Sequence, residues 1–247
     1  MNGTVEPRRE ARSADSATAG DGSVARRLAD VLLAAAGLLV TAPLLAVAAV
    51  GIRLASPGPV MYRAQRVARG GRLFTMYKLR TMHTEAPSDR GPVITAPRDA
   101  RVFPFGAWLR RSKIDELPQL WNVLRGDMAI VGPRPEDPRI VREHFRPLHF
   151  ETLHVRPGLA SPGSIYNYTH GEALLAGGDP EARYVERLLP FKLALDVVYV
   201  RRRSLGYDAS IIGRTCVVIL GSLVGRRRFP EPPEAPEAAR LVREGTT

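Results

Sequence analysis

The chain has 247 residues, enough to bury a sizeable core in one large domain or two small ones. Its 36 Lys and Arg against 25 Asp and Glu leave a net charge of +11, mostly from arginine, which favours bidentate contact with phosphate oxygens of some anionic partner. The lone cysteine, Cys216, excludes an intrachain disulfide and fits a reducing compartment, and there is no zinc-type Cys/His spacing, Walker loop or dinucleotide glycine fingerprint.

Residues 1–24 are rich in Ala, Ser, Arg, Asp and Gly and read as a disordered tail. Residues 25–55 contain an almost wholly apolar run from Val31 to Ile52, which as one helix would be about 33 Å long at about 1.5 Å per residue, enough to cross a bilayer core. Arginines flank both ends: Arg26 and Arg27 before the run, Arg53, Arg63, Arg66, Arg69 and Arg72 after it. A spanning helix would put one basic flank on the wrong side. Pro43 lies near the centre and removes a backbone donor. A helix that enters and leaves the same leaflet meets both constraints, with Thr41 near enough to satisfy a freed carbonyl. The spanning helix and a twin-arginine export signal remain alternatives, the latter poorly matched by Asp30 and the length of the run.

A turn cluster at Ser56-Pro57-Gly58-Pro59 precedes a predicted hairpin, Val60–Val67 and Leu73–Leu79, joined through Arg69-Gly70-Gly71. Residues 85–101 are polar and Pro-rich, a long loop of the kind that often carries function. Next comes Arg110-Arg111-Ser112-Lys113-Ile114-Asp115-Glu116-Leu117, two adjacent carboxylates after a cationic cluster. Leu117, Leu120, Trp121 and Leu124 repeat at helical spacing, so the acids are expected at the start of a helix with a buried face. The positive end of that helix would keep Asp115 ionised, suiting a nucleophile or a metal ligand. The structural alternative is a capping box with Ser112 as N-cap and Asp115 three residues on.

Val131-Gly132-Pro133-Arg134-Pro135 and Val155-Arg156-Pro157-Gly158 read as stiff turns, the first fixing Arg134 between two prolines. Leu188–Val200 and Ser210–Val224 are apolar runs ending in Arg201-Arg202-Arg203 and Arg226-Arg227-Arg228. They read as amphipathic helices at an anionic leaflet, or as core helices with solvated basic ends. Residues 226–247, with a Pro- and Glu-rich run from Pro230, read as a second disordered tail, leaving 56–225 as the main folded domain.

In this order, these pieces resemble one family, the bacterial sugar transferases: monotopic polyprenyl-phosphate glycosyl-1-phosphate transferases that start surface polysaccharide or glycoconjugate assembly. The matching residues are Arg26-Arg27 with Asp30, the proline-broken apolar segment, Ser56-Pro57-Gly58-Pro59-Val60 and Tyr77-Lys78-Leu79-Arg80-Thr81-Met82. Leu109 to Leu120, Asn122 to Met128, Val131 to Pro135 and Val155 to Gly158 complete the set. The resemblance implies a predominantly helical α+β, monotopic fold with a re-entrant helix, a small β-hairpin and interfacial helices.

It also implies a chemistry. A nucleotide diphosphate-sugar, of the UDP-sugar type, gives its sugar-1-phosphate to an aspartate, and a polyprenyl phosphate such as undecaprenyl phosphate then takes it. Asp115 matches the nucleophile, and Glu116 completes an acidic pair that helps hold Mg²⁺. Arg110, Arg134 and Lys78 match donor-contacting positions, and Arg80 and Arg156 lie in matched motifs as further substrate-binding candidates. The implied location is the inner face of the cytoplasmic membrane, with a homodimer an open partner assignment. Two stretches depart from the pattern: Ala42 stands where many relatives carry serine, and Leu159-Ala160-Ser161-Pro162-Gly163-Ser164 replaces the usual stretch, with Tyr166, Asn167, Tyr168 and His170 following, of which Tyr166 and His170 are expected to be loop residues. A non-catalytic basic scaffold would have no need of the Asp115-Glu116 pair. A nucleic-acid binder would want aromatic platforms or a recognition helix that the sequence lacks.

Overall fold

The computed structural model describes residues 22–84, 99–226 and 228–244. The expected tail at 1–24 and the loop at 85–101 fall almost wholly outside them. The fold is mostly helical, with a small two-stranded antiparallel sheet and one long apolar helix at its N-terminal end.

That helix, α1, runs Gly22–Ala55 and stays helical through Pro43. Thr41 does not serve the carbonyl freed by Pro43. Its hydroxyl donates to Gly37 O, one turn back, at 2.6 Å. Asp30, Ala34, Ala48 and Ile52 are buried against the rest of the chain, with Leu38 and Leu45 packed beside them, a stripe at helical spacing along the whole length. The opposite side presents Leu32, Leu33, Leu39, Val40, Val47, Val50 and Leu54 outward.

Both ends of α1 are fastened to the same body. Arg27 donates to Val123 O (2.7 Å) and Leu124 O (2.9 Å), and Asp30 accepts from Ile130 N (2.9 Å). At the other end, Ser56 is gripped by the Arg80 guanidinium, and the Gly51 backbone lies so close to the Phe105 ring that a Cβ there would clash.

The predicted hairpin is present as β1 (Met61–Val67) and β2 (Leu73–Leu79), paired from Met61 opposite Leu79 to Val67 opposite Leu73. Gly70 and Gly71 take the positive φ angles of its turn. Helix α2 (Pro104–Ser112) and helix α3 (Gln119–Arg125) follow. A parallel pair, β3 (Ala129–Val131) and β4 (Gly158–Ala160), joins the two proline turns, a contact absent from the sequence reading. Gly132 and Gly158 permit it: a Cβ on either would fall within 2.4 Å of the facing backbone.

The remaining helices are α4 (Pro138–His144), α5 (Pro162–Leu175), α6 (Pro180–Arg183), α7 (Leu189–Arg202), α8 (Leu205–Leu223) and α9 (Ala235–Glu244). Helix α7 is a core element rather than an interfacial one, since Lys192 through Tyr199 are all buried. Helix α8 keeps an apolar outer side at Val217, Leu220 and Leu223. The expected disordered tail at 226–247 gives way to α9, whose Ala238 and Leu241 bury against Ala194, Leu195, Val197 and Val198 of α7.

Candidate active site

The two carboxylates do not open a long helix. Ser112 closes α2, its hydroxyl donating back to Trp108 O and Leu109 O, so there is no capping box. Lys113 takes a left-handed conformation (φ 59°), and Ile114–Glu116 form a single 3₁₀ turn before Pro118 starts α3. Of the expected buried face, Leu117 and Leu124 are half-buried and Leu120 is buried, while Trp121 is 53 % exposed.

Glu116 and Asp115 are both buried and have opposite surroundings. Glu116 receives Arg134 as a fork, Nη2 to Oε1 at 2.6 Å and Nη1 to Oε2 at 2.9 Å, and Lys78 Nζ at 3.2 Å. Tyr168 OH accepts from Arg134 Nη1 at 3.0 Å and lies 3.4 Å from Glu116 Oε2. Burial opposes the Glu116 charge, but Arg134, Lys78 and Lys113 outweigh it and hold the carboxyl well below its usual range. Asp115 Oδ1 has no hydrogen-bond partner. Burial, then the Glu116 charge, push the Asp115 carboxyl up, against the pull of Lys78, Lys113 and Arg110. A single 3₁₀ turn supplies little of the dipole field expected to keep it ionised.

Each cation has a positional cause. Asn122 on α3 clasps the edge of β2, accepting from Tyr77 N (3.1 Å) and donating to Thr75 O (2.8 Å), which sets Lys78 over the acids. Arg134 is carried by a turn between Pro133 and Pro135, anchored by Glu136, whose carboxylate takes Tyr184 OH (2.9 and 3.0 Å) and the buried Lys192 ammonium. Arg110 Nε donates to Thr81 Oγ1 at 2.8 Å, and Asp115, then Asp99, are the acids whose charge acts most on its guanidinium. Lys113 Nζ lies 3.6 Å from the centroid of the Tyr168 ring, and burial brings its ammonium down to about 8.

Of the candidates for donor contact, Lys78 and Arg134 bind Glu116, and Arg110 acts on Asp115. Arg80 and Arg156 do neither. Arg80 is buried and spends its guanidinium on Pro59 O, Ser56 O, Ser56 Oγ and Met82 O, a clamp on the end of α1. Arg156 is exposed beside Arg27 and Arg69, at the opposite end of α1. Two groups were missed. Lys113 was in view inside the motif. Tyr168 gave no local signal, because residues 162–175 form α5, capped by Ser161, rather than a loop, and only tertiary packing carries Tyr168 to Glu116. His170 stacks on Tyr166, which meets Phe191, and neither reaches the acids.

For a divalent cation the fit is one-sided. Among the described residues no three His, Cys, Asp or Glu side chains converge. The Asp115 carboxylate, with one oxygen unpartnered, could supply a ligand while leaving its other oxygen free, and Mg²⁺ commonly takes one or two carboxylates plus substrate phosphates and water. Glu116 would have to release Arg134 or Lys78 to become a second ligand.

Against known proteins, residues 22–222 match the family model described as bacterial sugar transferase. The chain belongs to this family. A UDP-glucose:undecaprenyl-phosphate glucose-1-phosphate transferase of Xanthomonas campestris pv. campestris is 38 % identical over 203 residues, 80 % of this chain and 39 % of that protein. The protein of the same name from Caulobacter vibrioides is 38 % identical over 200 residues, 79 % of this chain and 69 % of its own length. A UDP-N-acetylgalactosamine-undecaprenyl-phosphate N-acetylgalactosaminephosphotransferase of Aeromonas hydrophila is 36 % identical over 197 residues, 79 % of this chain and 43 % of that one. This bacterial sugar transferase thus spans 39 % to 69 % of the length of these relatives.

Proposed function

We propose that this chain transfers a sugar-1-phosphate from a UDP-sugar to a polyprenyl phosphate, through a phosphosugar held on Asp115, as an initiating step of exopolysaccharide or glycoconjugate assembly. The observation that carries the reading is the unpartnered Asp115 Oδ1, buried beside an ionised, salt-bridged Glu116 in the field of four cations, Lys78, Arg110, Lys113 and Arg134. Four cations against two carboxylates leave an excess of positive charge, which a diphosphate would balance. The names of the relatives, which specify UDP-sugars and undecaprenyl phosphate, support the choice of substrates.

In the first half-reaction Asp115 Oδ1 attacks the phosphorus that bears the sugar. A new O–P bond forms as the bond to the bridging oxygen breaks, and UMP leaves with that oxygen's electron pair. In the second, an oxygen of the polyprenyl phosphate attacks the same phosphorus and the Asp115 carboxylate leaves. Dividing the transfer lets a water-soluble donor and a membrane-bound acceptor use one nucleophile in turn. Arg110, Arg134 and Lys78 orient and neutralise phosphate oxygens, the main contribution a protein makes to phosphoryl transfer. Glu116 holds Arg134 and Lys78 in register, and Tyr168 backs Arg134. Mg²⁺ bound at Asp115 would add positive charge that keeps this carboxylate ionised and offsets charge on the donor diphosphate.

The same reading assigns α1 to the membrane, entering and leaving through one leaflet. Its outward side is apolar along its length, yet its Arg27 and Ser56 ends are both tied to the catalytic domain. Crossing the bilayer would separate those ends by about 30 Å of hydrocarbon and drag the domain into it. A cytoplasmic-face location puts the acids where UDP-sugars and the lipid phosphate meet.

Purified protein given Mg²⁺ and radiolabelled UDP-sugars should form an acid-stable adduct and release UMP. The Asp115→Asn variant should do neither, since an amide is a poor nucleophile. Normal turnover by that variant would remove the proposed intermediate.

A further inference from the structure

A second concentration of arginines lies at the far end of α1 from Ser56. Several hydrogen bonds gather it. Arg27 binds the carbonyls of Val123 and Leu124, and Asp30 accepts from Ile130 N, bringing the start of α1 onto β3. Strand β4 pairs with β3, and Arg156 directly precedes it. Arg26 Nε binds Asp208 at 2.8 Å, and Tyr199 OH binds the same carboxylate at 2.8 Å, closing the α7–α8 corner where Arg203 sits. The β1–β2 turn adds Arg69, which acts on both Arg156 and Arg203.

The acids present are already engaged: Asp208 by Arg26 and Tyr199, Asp30 by the Ile130 amide. Among the described residues, neither Arg156 nor Arg203 has a hydrogen bond or ion pair to its guanidinium, though Arg203 is half-buried. Burial and the neighbouring arginines push both guanidinium groups down, against the weaker opposing pull of Asp30 on Arg156 and of Tyr199 and Asp208 on Arg203.

We propose that Arg156 and Arg203, with Arg27 beside them, hold the phosphate of an anionic phospholipid headgroup. Val24, Leu28, Leu32 and Leu33 lie outward on the adjoining turns of α1, 75 %, 58 %, 60 % and 51 % exposed. They offer acyl chains an apolar track leading straight from the arginines, which a free phosphate would not use. Guanidinium forks suit a phosphodiester, and each such charge at an anionic membrane surface is worth about a fivefold preference. The site would fix the start of α1 at headgroup depth and so set the height of the catalytic domain. The inference rests on α1 being embedded in the membrane.

The test uses the full chain in phosphatidylcholine nanodiscs containing graded phosphatidylglycerol, with retained lipid read by native mass spectrometry. The wild type should keep one phosphatidylglycerol, and Arg156→Gln/Arg203→Gln should lower its preference over phosphatidylcholine by about thirtyfold. Arg156→Gln alone, at an exposed side chain, should lower it about fivefold, which preserves the test should the double variant not fold. Arg139→Gln/Arg142→Gln removes the same charge from exposed positions on α4 and should leave retention unchanged. Equal loss in both pairs, or displacement of the lipid by excess inorganic phosphate, would overturn the headgroup site. Flotation with vesicles separates the two readings: a protein that floats but retains no anionic lipid refutes the site alone, and one that fails to float refutes the membrane assignment of α1 with it.

Discussion

Arg80→Met tests whether Arg80 belongs to substrate binding, as its motif suggests, or to the architecture, as its contacts indicate. The guanidinium donates at 2.5 Å to Pro59 O, at 2.7 Å to Ser56 O and Ser56 Oγ, and at 3.2 Å to Met82 O, all at the junction of α1 with β2. A hydrogen bond to a charged group contributes about 1.5–3 kcal/mol, and removing the donor leaves buried carbonyls without partners. Four such bonds sharing one side chain are not additive, so the loss should be about 3–5 kcal/mol, at the upper end for a single substitution. For a domain of this size that corresponds to a fall in Tm of about 6–20 °C. The assay is thermal unfolding in detergent, alongside steady-state kinetics at a temperature where the variant is folded. The KM for the UDP-sugar should stay within about twofold of wild type. An unchanged Tm with a strongly raised KM would refute the clamp and return Arg80 to the donor site.

Arg134→Lys keeps the charge but loses the fork to Glu116, so kcat/KM should fall about a hundredfold with a much smaller change in Tm, measured by initial rates of UMP release. Asp196 gives a pH prediction: burial raises its carboxyl to about 6, although Gly163 N donates to it. The folded state therefore holds this proton more tightly than the unfolded chain, and the destabilisation grows as pH rises from about 4 to 6, to about 3 kcal/mol above that range. Asp196→Asn should be more stable than wild type at pH 7, with the difference vanishing near pH 4, as read from Tm against pH. His149, buried and brought down to about 4, contributes the opposite slope in both proteins and cancels from the comparison. Truncation before Pro230 removes α9 and the Glu234 carboxylate that binds Arg214. It should cost about 3 kcal/mol for the buried Leu241 and its neighbours and speed limited proteolysis of α7.

Local patterns made part of this structure legible. The hairpin followed from two β-rich runs around Arg69-Gly70-Gly71, and it lies where that pattern puts it. The apolar segment declared itself by composition, but its tethering depends on Arg27 and Asp30 finding backbone groups about a hundred residues away. Strands β3 and β4 are three residues each and pair only because Gly132 and Gly158 allow backbones to touch, too short a signal for periodicity. Helix α9 was hidden by the prolines and glutamates before it, and its apolar positions make sense only against α7. Arginine was the most ambiguous residue. Arg134 and Arg156 sit beside prolines and Arg80 two residues after Lys78, and their different surroundings, acid cluster, clamp and outer surface, depend on which groups the fold places opposite each guanidinium.

The same dependence separates two adjacent acids of nearly identical chemistry. In a 3₁₀ turn successive side chains diverge by about 120°, so neighbours cannot share one environment. The left-handed Lys113 ends α2 and turns the chain so that Glu116 meets Arg134, Lys78 and Tyr168, while Asp115 is left with an unpaired oxygen in the same field. A regular helix begun at Ser112 would have replaced this turn with continuous α geometry. In the proposed reaction Glu116 would be useful because it is saturated: it spaces Lys78 and Arg134, which a diphosphate could then engage from the other side. Asp115 would be useful there because it is not saturated, since an oxygen already engaged in hydrogen bonds would have to lose them before attacking phosphorus. The two proposed roles depend on each other, for Lys78 and Lys113 act on both carboxylates, and the charge Glu116 takes up is charge that Asp115 need not pair with.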